Sequence, residues 1–392
     1  MEKLDTKDGD ANYNKRQFWT YKRIGERKSK SKHNIQLHKI QSKKIQPTKK
    51  TTKKDKTTKQ SKRFHLVDNK IATDKELVKR LESIYIPPAY KDIVVAKSPN
   101  NKIQAIGTDA KGRRQYVYNH KYTKKRNDRK YDFIVDLGKK IIQIENDNET
   151  AIKTLVSKPY DKWDLPNDYI SIIIYMLRTY HFRIGNEKYA NDNNSYGITT
   201  LKKEHIKWST SNKNALNTNK FTIEFIGKKG IVNRYSDDNS SIAKLLKILI
   251  QHATPDGFLF KYMHDGNKQL ITPEHIHSYF QEKYNAEITP KMFRTWYGNY
   301  HMLSHLRDLF NKGDILKPRM TKIEVNKIIT ECSEHVSSKL NNTPTVSKQS
   351  YIDNKILELV IKNPYRFARK IPDSSDGQHK FLYNIILKLR NL

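Results

Sequence analysis

The sequence predicts an α+β protein: a small, mainly β N-terminal unit, then a larger, mainly helical unit carrying an inserted β-hairpin. Three observations predict it. Short β-rich runs separated by polar turns fill residues 64–122. From Tyr131 onward apolar residues recur at helical spacing. Within that helical stretch Phe221, Ile223 and Phe225 alternate with Thr222, Glu224 and Ile226 before a Gly227-Lys228-Lys229-Gly230 turn, the pattern of a hairpin.

Taken in order, residues 1–63 are rich in Lys, Ser, Thr and Gln and predict a disordered basic arm, because such a composition buries too little apolar area to offset the entropy of ordering. Order is expected from Phe64-His65-Leu66-Val67, a turn at Asp68-Asn69-Lys70, and a helix from a Thr73 cap to Leu81. Ile86-Pro87-Pro88 breaks helical geometry. Strands follow at Ile93–Ala96, Ile103–Gly107 and Gln115–Tyr118. Lys121–Lys130 is read as a charged connection, so the units divide as 64–122 and 123–392. In the second unit, helices are expected from Pro166 to about Phe182, over 241–251, after Thr272-Pro273 and Thr289-Pro290, over about 321–340, and over about 347–361.

The 392 residues carry 76 Lys and Arg against 41 Asp and Glu, a net charge of +35. The first 64 residues hold 21 basic and 6 acidic side chains, so the rest of the chain keeps a surplus of 20. A folded unit with that surplus repels itself unless it meets a polyanion, which points to nucleic acid as the partner. The single cysteine, Cys332, excludes an intramolecular disulfide and a zinc finger and reads as a core thiol. No run reaches the length of a membrane span, and the N-terminus has no apolar signal core, so an intracellular protein is expected.

No metal-ligand spacing stands out. His301 and His305 lie at i, i+4, but a histidine pair on a surface or in a core explains them better than a metal site. No phosphate-binding Gly-rich Lys-Ser/Thr loop is present. Neither metal nor cofactor is expected, and phosphodiester chemistry would have to rest on cationic side chains and a nucleophile.

Five segments supply these in order: Arg183-Ile184-Gly185-Asn186-Glu187-Lys188-Tyr189; Phe225-Ile226-Gly227-Lys228-Lys229; Lys291-Met292-Phe293-Arg294-Thr295; Asn341-Asn342-Thr343-Pro344; and Ser347-Lys348-Gln349-Ser350-Tyr351. Each alone is ordinary, since Tyr351 is one of 23 tyrosines. Upstream, Gly107-x-Asp109-x-x-Gly112-Arg113-x-Gln115-Tyr116-x-Tyr118 follows Ile86-Pro87-Pro88, and Ser195–Leu201 follows the first arginine segment. Together, over residues 64–365, they resemble the type IB DNA topoisomerases, specifically the compact branch of poxvirus and bacterial-like enzymes.

That resemblance implies the catalytic fold shared by tyrosine recombinases and type IB topoisomerases, with the first unit as a DNA clamp. It also implies roles. Tyr351 would be the nucleophile, forming a 3′-phosphotyrosyl bond and freeing a 5′-hydroxyl. Arg183 and Arg294 would hold the non-bridging phosphate oxygens, and Lys228 would protonate the leaving 5′-oxygen. Lys291 would lie near the scissile phosphate. Asn342, where poxvirus and eukaryotic members have histidine, would donate a hydrogen bond to phosphate. Arg113, Arg114, Gln115, Tyr116, Tyr118 and Tyr189 would contact DNA. The turn reads Gly-Lys-Lys where many relatives have Gly-Lys-Asp, so a supporting role for that acid is missing or supplied elsewhere, and Lys229 is an adjacent competitor to Lys228 as the proton donor. The implied activity is ATP-independent relaxation of supercoiled duplex DNA by a monomer clamped around it. Abundant Lys, Asn and Ile fit an AT-rich genome and, with the resemblance, a large DNA virus, its virion or its cytoplasmic factory.

The chemistry fits independently. Guanidinium forks match phosphate oxygens bidentately and stay charged. A phenol of pKa about 10 is only about one part in a thousand ionised at pH 7, and cations nearby favour the phenolate. On strand alternation, Gln115 and Val117 face one way and Arg114, Tyr116 and Tyr118 the other. The rival readings are a tyrosine recombinase, which typically shows His-x-x-Arg where this chain has Lys291-x-x-Arg294, and a non-enzymatic DNA-packaging protein.

Overall fold

A computed structural model describes residues 18–25, 63–209, 219–313 and 315–391. The chain divides into two compact units between Arg126 and Asn127, four residues beyond the boundary read from the sequence.

The first unit is a six-stranded antiparallel sheet in the order β3-β2-β1-β4-β5-β6. Its strands are β1 (Phe18–Gly25), β2 (Arg63–Val67), β3 (Lys70–Ile71), β4 (Lys91–Ala96), β5 (Ile103–Thr108) and β6 (Arg114–Tyr118). One face buries Tyr21, Val95 and Ala105 against Leu81 of α1 (Lys75–Ser83) and against Ile84 and Ile86. The cap of α1 is Asp74, whose carboxylate accepts from the Leu77 N–H at 2.8 Å, one residue after the Thr73 expected. β1 corrects the arm expected over residues 1–63. Phe18–Gly25 fills the middle of the sheet, with Tyr21 opposite Val67 and Thr20 opposite Val94. Asp68 ties it in by accepting from Thr20 N and Oγ1 at 2.9 and 3.0 Å, and the Tyr21 hydroxyl meets His65 Nδ1 at 2.8 Å. The other residues of the expected arm, apart from Arg63, lie outside the described residues.

Lys121–Lys130 is not a connection but the start of α2 (His120–Ser157). Asn119 begins it, its Oδ1 accepting from Lys121 N at 2.8 Å. Its first turns are charged because they are solvated, which hides their helical period from hydropathy.

In the second unit, α3 (Asn167–Thr179) is buried almost throughout, from Tyr169 to Leu177. After α4 (Glu187–Asn193), β7 (Ile206–Trp208) joins the expected hairpin of β8 (Phe221–Ile226) and β9 (Val232–Asp237) as a three-stranded sheet. α5 (Ser240–Gln251), the β10–β11 hairpin (Lys261–His264, Asn267–Leu270) and α6 (Pro273–Tyr284) follow. α7 (Pro290–Lys312) is the central helix, packed on α3, α6, α8 (Lys322–Leu340), α11 (Pro364–Ala368) and α12 (Ser375–Arg390). It buries Phe293, Trp296, Met302, Leu303 and Leu306. Each such side chain removed from water contributes about 1.5–3 kcal/mol, which makes α7 a stiff mount for polar groups placed among them. Cys332 of α8 is buried as expected, and burial pushes its thiol up to about 12.

The helix expected over 347–361 is two helices, α9 (Pro344–Ser350) and α10 (Asn354–Lys362). The chain breaks at Tyr351-Ile352-Asp353. Asn299 of α7 captures that break, its Nδ2 donating to Tyr351 O at 2.9 Å and its Oδ1 accepting from Asp353 N at 2.8 Å. Asp353 then caps α10 and pairs with Arg390 of α12.

Candidate active site

Four of the expected catalytic residues converge: Arg183, Arg294, Asn342 and Tyr351. Each is delivered by a different local device.

Arg183 follows α3 in an irregular stretch held by the Ser195–Leu201 segment. Ile198 N donates to Arg183 O at 2.9 Å, and Thr199 Oγ1 accepts from Gly185 N at 3.1 Å. A Cβ on Gly197 would lie 2.6 Å from both Arg183 O and Ile184 O, so only glycine permits this approach. The second motif is therefore the support of the first.

Arg294 sits one turn into α7 and is only 4% exposed. Its Nη1 donates to His181 O, its Nη2 to Leu340 O at 2.6 Å, and its Nε to Tyr351 Oη at 3.5 Å. The guanidinium carbon lies 5.1 Å from the Tyr351 ring centroid, a cation–π contact. An arginine has five N–H donors, so these bonds leave capacity for a phosphate oxygen. Burial lowers the pKa of Arg294, opposed by Tyr351 beside it.

Asn342 follows α8, which ends at Asn341 in left-handed geometry. Arg183 Nη2 donates to Asn342 Oδ1 at 2.6 Å, while Asn342 Nδ2 is buried without a hydrogen-bond partner. An unpaired buried donor costs about 1–3 kcal/mol, and a phosphate oxygen would satisfy it.

Tyr351 is half-buried at the break after α9. Gly298 of α7 lets the break approach, since a Cβ there would lie 2.9 Å from Tyr351 Cβ. Lys130 Nζ holds Ser350 O at 2.6 Å. Burial pushes the phenol up, but the charges of Arg294 and Arg183 outweigh it, and the net pKa lies below the ordinary tyrosine value. The phenolate of Tyr351 is thereby easier to form than that of an ordinary tyrosine.

The two lysines stand apart from these contacts. Lys228 opens a 3-10 turn, Lys228–Gly230, between β8 and β9; it is exposed and makes no hydrogen bond or ion pair among the described residues. Asn341 Nδ2 donates to Val232 O at 3.1 Å, tethering this hairpin to the loop that carries Asn342. Lys229 takes φ +65, a left-handed conformation that disfavours a side chain. Lys291 is exposed on the first turn of α7, three residues before Arg294.

In the first unit, Asp109 organises the Gly107–Tyr118 motif. Its carboxylate accepts from the N–H groups of Lys111 and Arg113, from Arg113 Nε at 2.9 Å and from Gln115 Nε2 at 2.9 Å; the side-chain bond from Arg113 leads in holding its pKa down at about 2. Arg113 and Gln115 are thus engaged with Asp109. Arg114 is exposed; Tyr116 and Tyr118 share its face by strand alternation, their rings 6.4 Å apart. Tyr118 stacks on Tyr122 at 5.6 Å, and the Arg126 guanidinium lies 5.3 Å over Tyr118. Tyr122 and Arg126 extend this aromatic-basic face and were not singled out from the sequence, because their stretch read as a connection. In the second unit, Tyr189 is 53% exposed on α4. His301 and His305 part company: His301 meets His181, and His305 stacks on His335 at 4.3 Å. His181, Gly298 and Asn299 also escaped the sequence reading; the i, i+4 and i, i+5 spacing of Gly298 and Asn299 from Arg294 on one helix was the available signal for the last two.

Two known families match this chain. Residues 119–370 match the family described as eukaryotic DNA topoisomerase I, catalytic core, and residues 63–109 match bacterial DNA topoisomerase IB, N-terminal domain. DNA topoisomerase 1B of Acanthamoeba polyphaga mimivirus is 32% identical over 336 residues, covering 83% of this chain and 91% of the relative. DNA topoisomerase 1 of Rabbit fibroma virus (strain Kasza) is 25% identical, covering 75% and 88%. DNA topoisomerase 1B of Vaccinia virus (strain Copenhagen) is 24% identical, covering 74% and 84%.

Proposed function

Since this chain belongs to the type IB DNA topoisomerases, we propose that Tyr351 cuts and reseals one strand of duplex DNA, with Arg183, Arg294 and Asn342 gripping the scissile phosphate. The observation that carries this reading is the convergence of two guanidinium groups on one phenol, with a buried amide donor left unpaired beside them.

In the forward step Tyr351 Oη attacks phosphorus, the bond from phosphorus to the 5′-oxygen breaks, and a 3′-phosphotyrosyl ester forms. The equatorial oxygens carry the developing charge, and Arg183 and Arg294 meet it with donors that need no reorganisation. Asn342 Nδ2 adds a neutral donor. The leaving 5′-oxygen needs a proton, and Lys228, projecting from a turn tethered to the Asn342 loop, supplies it. Lys291, exposed on the first turn of α7, would reach toward that phosphate. Resealing reverses each step, and the ester retains the energy of the broken bond, so no ATP is consumed; the guanidinium groups of Arg183 and Arg294 take the charge-stabilising place of a metal ion.

DNA is the substrate. The Arg114–Tyr116–Tyr118 face of the first unit and Tyr189 of the second fit duplex contact, with Arg113 and Gln115 released from Asp109 to reach DNA. We assign the first unit to DNA grip and the second to chemistry, in a monomer that closes on supercoiled duplex. The viral relatives favour a viral genome as that duplex, in the virion or in a cytoplasmic factory. Among the described residues no helix is long and apolar enough to cross a membrane. The test is relaxation of supercoiled plasmid in a chelating buffer without ATP. Relaxation through intermediate topoisomers is expected; a strict need for ATP or magnesium, or strand exchange between paired sites without relaxation, would overturn the reading.

A further inference from the structure

Arg294 is held from behind by two carbonyl oxygens, and both belong to the approaches of the other phosphate-gripping residues. His181 lies two residues before Arg183, and Leu340 two residues before Asn342. One guanidinium therefore ties the two loops together.

The His181 carbonyl owes its direction to an unfavourable backbone. His181 adopts φ +52, a left-handed conformation that is strained for a non-glycine residue and persists only where its surroundings over-determine it. Its ring supplies that restraint. At 4% exposure, Nδ1 lies 3.3 Å from Leu177 O and Nε2 lies 2.7 Å from His301 Nε2. A carbonyl only accepts, so Nδ1 bears the proton. A neutral ring then leaves Nε2 as an acceptor, and the proton between the rings belongs to His301. Both tautomers are set by partners. Burial and the positive charges of Arg294 and Lys339 keep His181 neutral, and burial, His181 and Lys339 do so for His301. His301 follows Arg294 by seven residues, two turns along the same face of α7, so the donor and the arginine share one rigid rod. Tyr297, on the turn between, packs its ring 4.8 Å from His181.

We propose that His181 and His301 are positioning residues for Arg294: the hydrogen-bonded imidazole pair locks the left-handed turn that aims the His181 carbonyl at Arg294 Nη1. This rests on the assignment of Arg294 to the scissile phosphate. Neither ring touches the phosphate. The pair acts by keeping Arg294 and the Arg183 loop in one register.

The test compares His301→Leu, which removes the donor, with His301→Gln, whose amide N–H replaces it. The measurements are the single-turnover rate of detergent-trapped adduct on supercoiled plasmid, DNA affinity and Tm. His301→Leu should slow adduct formation by about tenfold to a hundredfold with unchanged affinity, as expected for a small misplacement of a catalytic group. His301→Gln should recover most of the rate. In an Arg294→Lys background, whose ammonium cannot make the same pair of carbonyl bonds, His301→Leu should add little. A wild-type rate in His301→Leu, equal slowing in Leu and Gln variants, or the same loss in both backgrounds overturns the proposal. Arg294→Ala, measured alongside, separates the two levels. Normal cleavage by that variant removes the phosphate role of Arg294. No cleavage by it, with normal cleavage by His301→Leu, removes only the clasp.

Discussion

Arg183 Nη2 donates to Asn342 Oδ1 at 2.6 Å, and that bond decides what Asn342 can do. An arginine cannot accept, so the oxygen of the amide is the atom facing it and the nitrogen faces the other way, buried and unpaired. Asn342 is therefore a donor already oriented by Arg183. Replacing it tests orientation and donation separately.

Asn342→His should keep much of the cleavage rate, because an imidazole N–H can take the donor's place. Asn342→Asp should lose about a hundredfold or more, since a carboxylate would salt-bridge Arg183 and repel phosphate. Adduct formation measured for both variants checks this; an Asp variant as active as wild type would remove the donor role.

Lys228→Ala should slow cleavage of ordinary DNA by about 10²–10⁴-fold and recover when the 5′-oxygen is replaced by a leaving group that needs no proton. Lys229→Gly should cleave normally and gain stability, because glycine relieves the φ of +65 there, a conformation costing about 1–2 kcal/mol. The reverse pattern would transfer the acid to Lys229.

Gly298→Ala places a methyl group 2.9 Å from Tyr351 Cβ and 3.0 Å from Tyr351 O. Overpacking of this kind costs about 1–3 kcal/mol, and here the atoms that must yield carry the nucleophile. Tm should fall and adduct formation should fall further than the loss of folded protein accounts for. An unchanged rate would show that the break at Tyr351 has slack.

Stability should fall as pH drops below about 6.5. Burial holds His181 at about 3 and His205 and His335 at about 4, with Lys339 and His305 adding to the depression at His335 and Asp308 opposing it. Their unfolded values lie near 6.5, so below that pH the unfolded chain takes up protons that the folded one refuses. The contribution is fully present above 6.5 and is lost as pH falls toward 4. Asp109 and Asp373, held near 2, titrate below this window. Thermal unfolding from pH 8 to 4.5 reads it, and His335→Gln should flatten the slope.

Much of this was legible in the sequence, for reasons that can be stated. Arg183, Arg294, Asn342 and Tyr351, each ordinary alone, could be read because the ordered set of segments that carries them resembles the type IB DNA topoisomerases. β1 could not. Phe18-Trp19-Thr20-Tyr21 is embedded in a lysine-rich stretch, and its partners, β2 and β4, lie some 40 and more than 70 residues away. Pairing at that distance leaves no local trace. The break at Tyr351 escaped for a similar reason: apolar periodicity runs through residues 347–361, and what interrupts it is Asn299 on another helix. The His181 turn is set by a ring contact 120 residues away.

Peptide mapping of the trapped adduct reads the proposed covalent bond between DNA and Tyr351. Supercoiled plasmid is stopped with detergent during cleavage, the protein is digested, and the DNA-linked peptide and both strand ends are identified. The expected result is a peptide containing Tyr351 on the 3′-phosphate, a free 5′-hydroxyl, and no adduct from Tyr351→Phe at undiminished DNA affinity. A 5′-linked peptide, a different tyrosine, or an adduct surviving in Tyr351→Phe would contradict it.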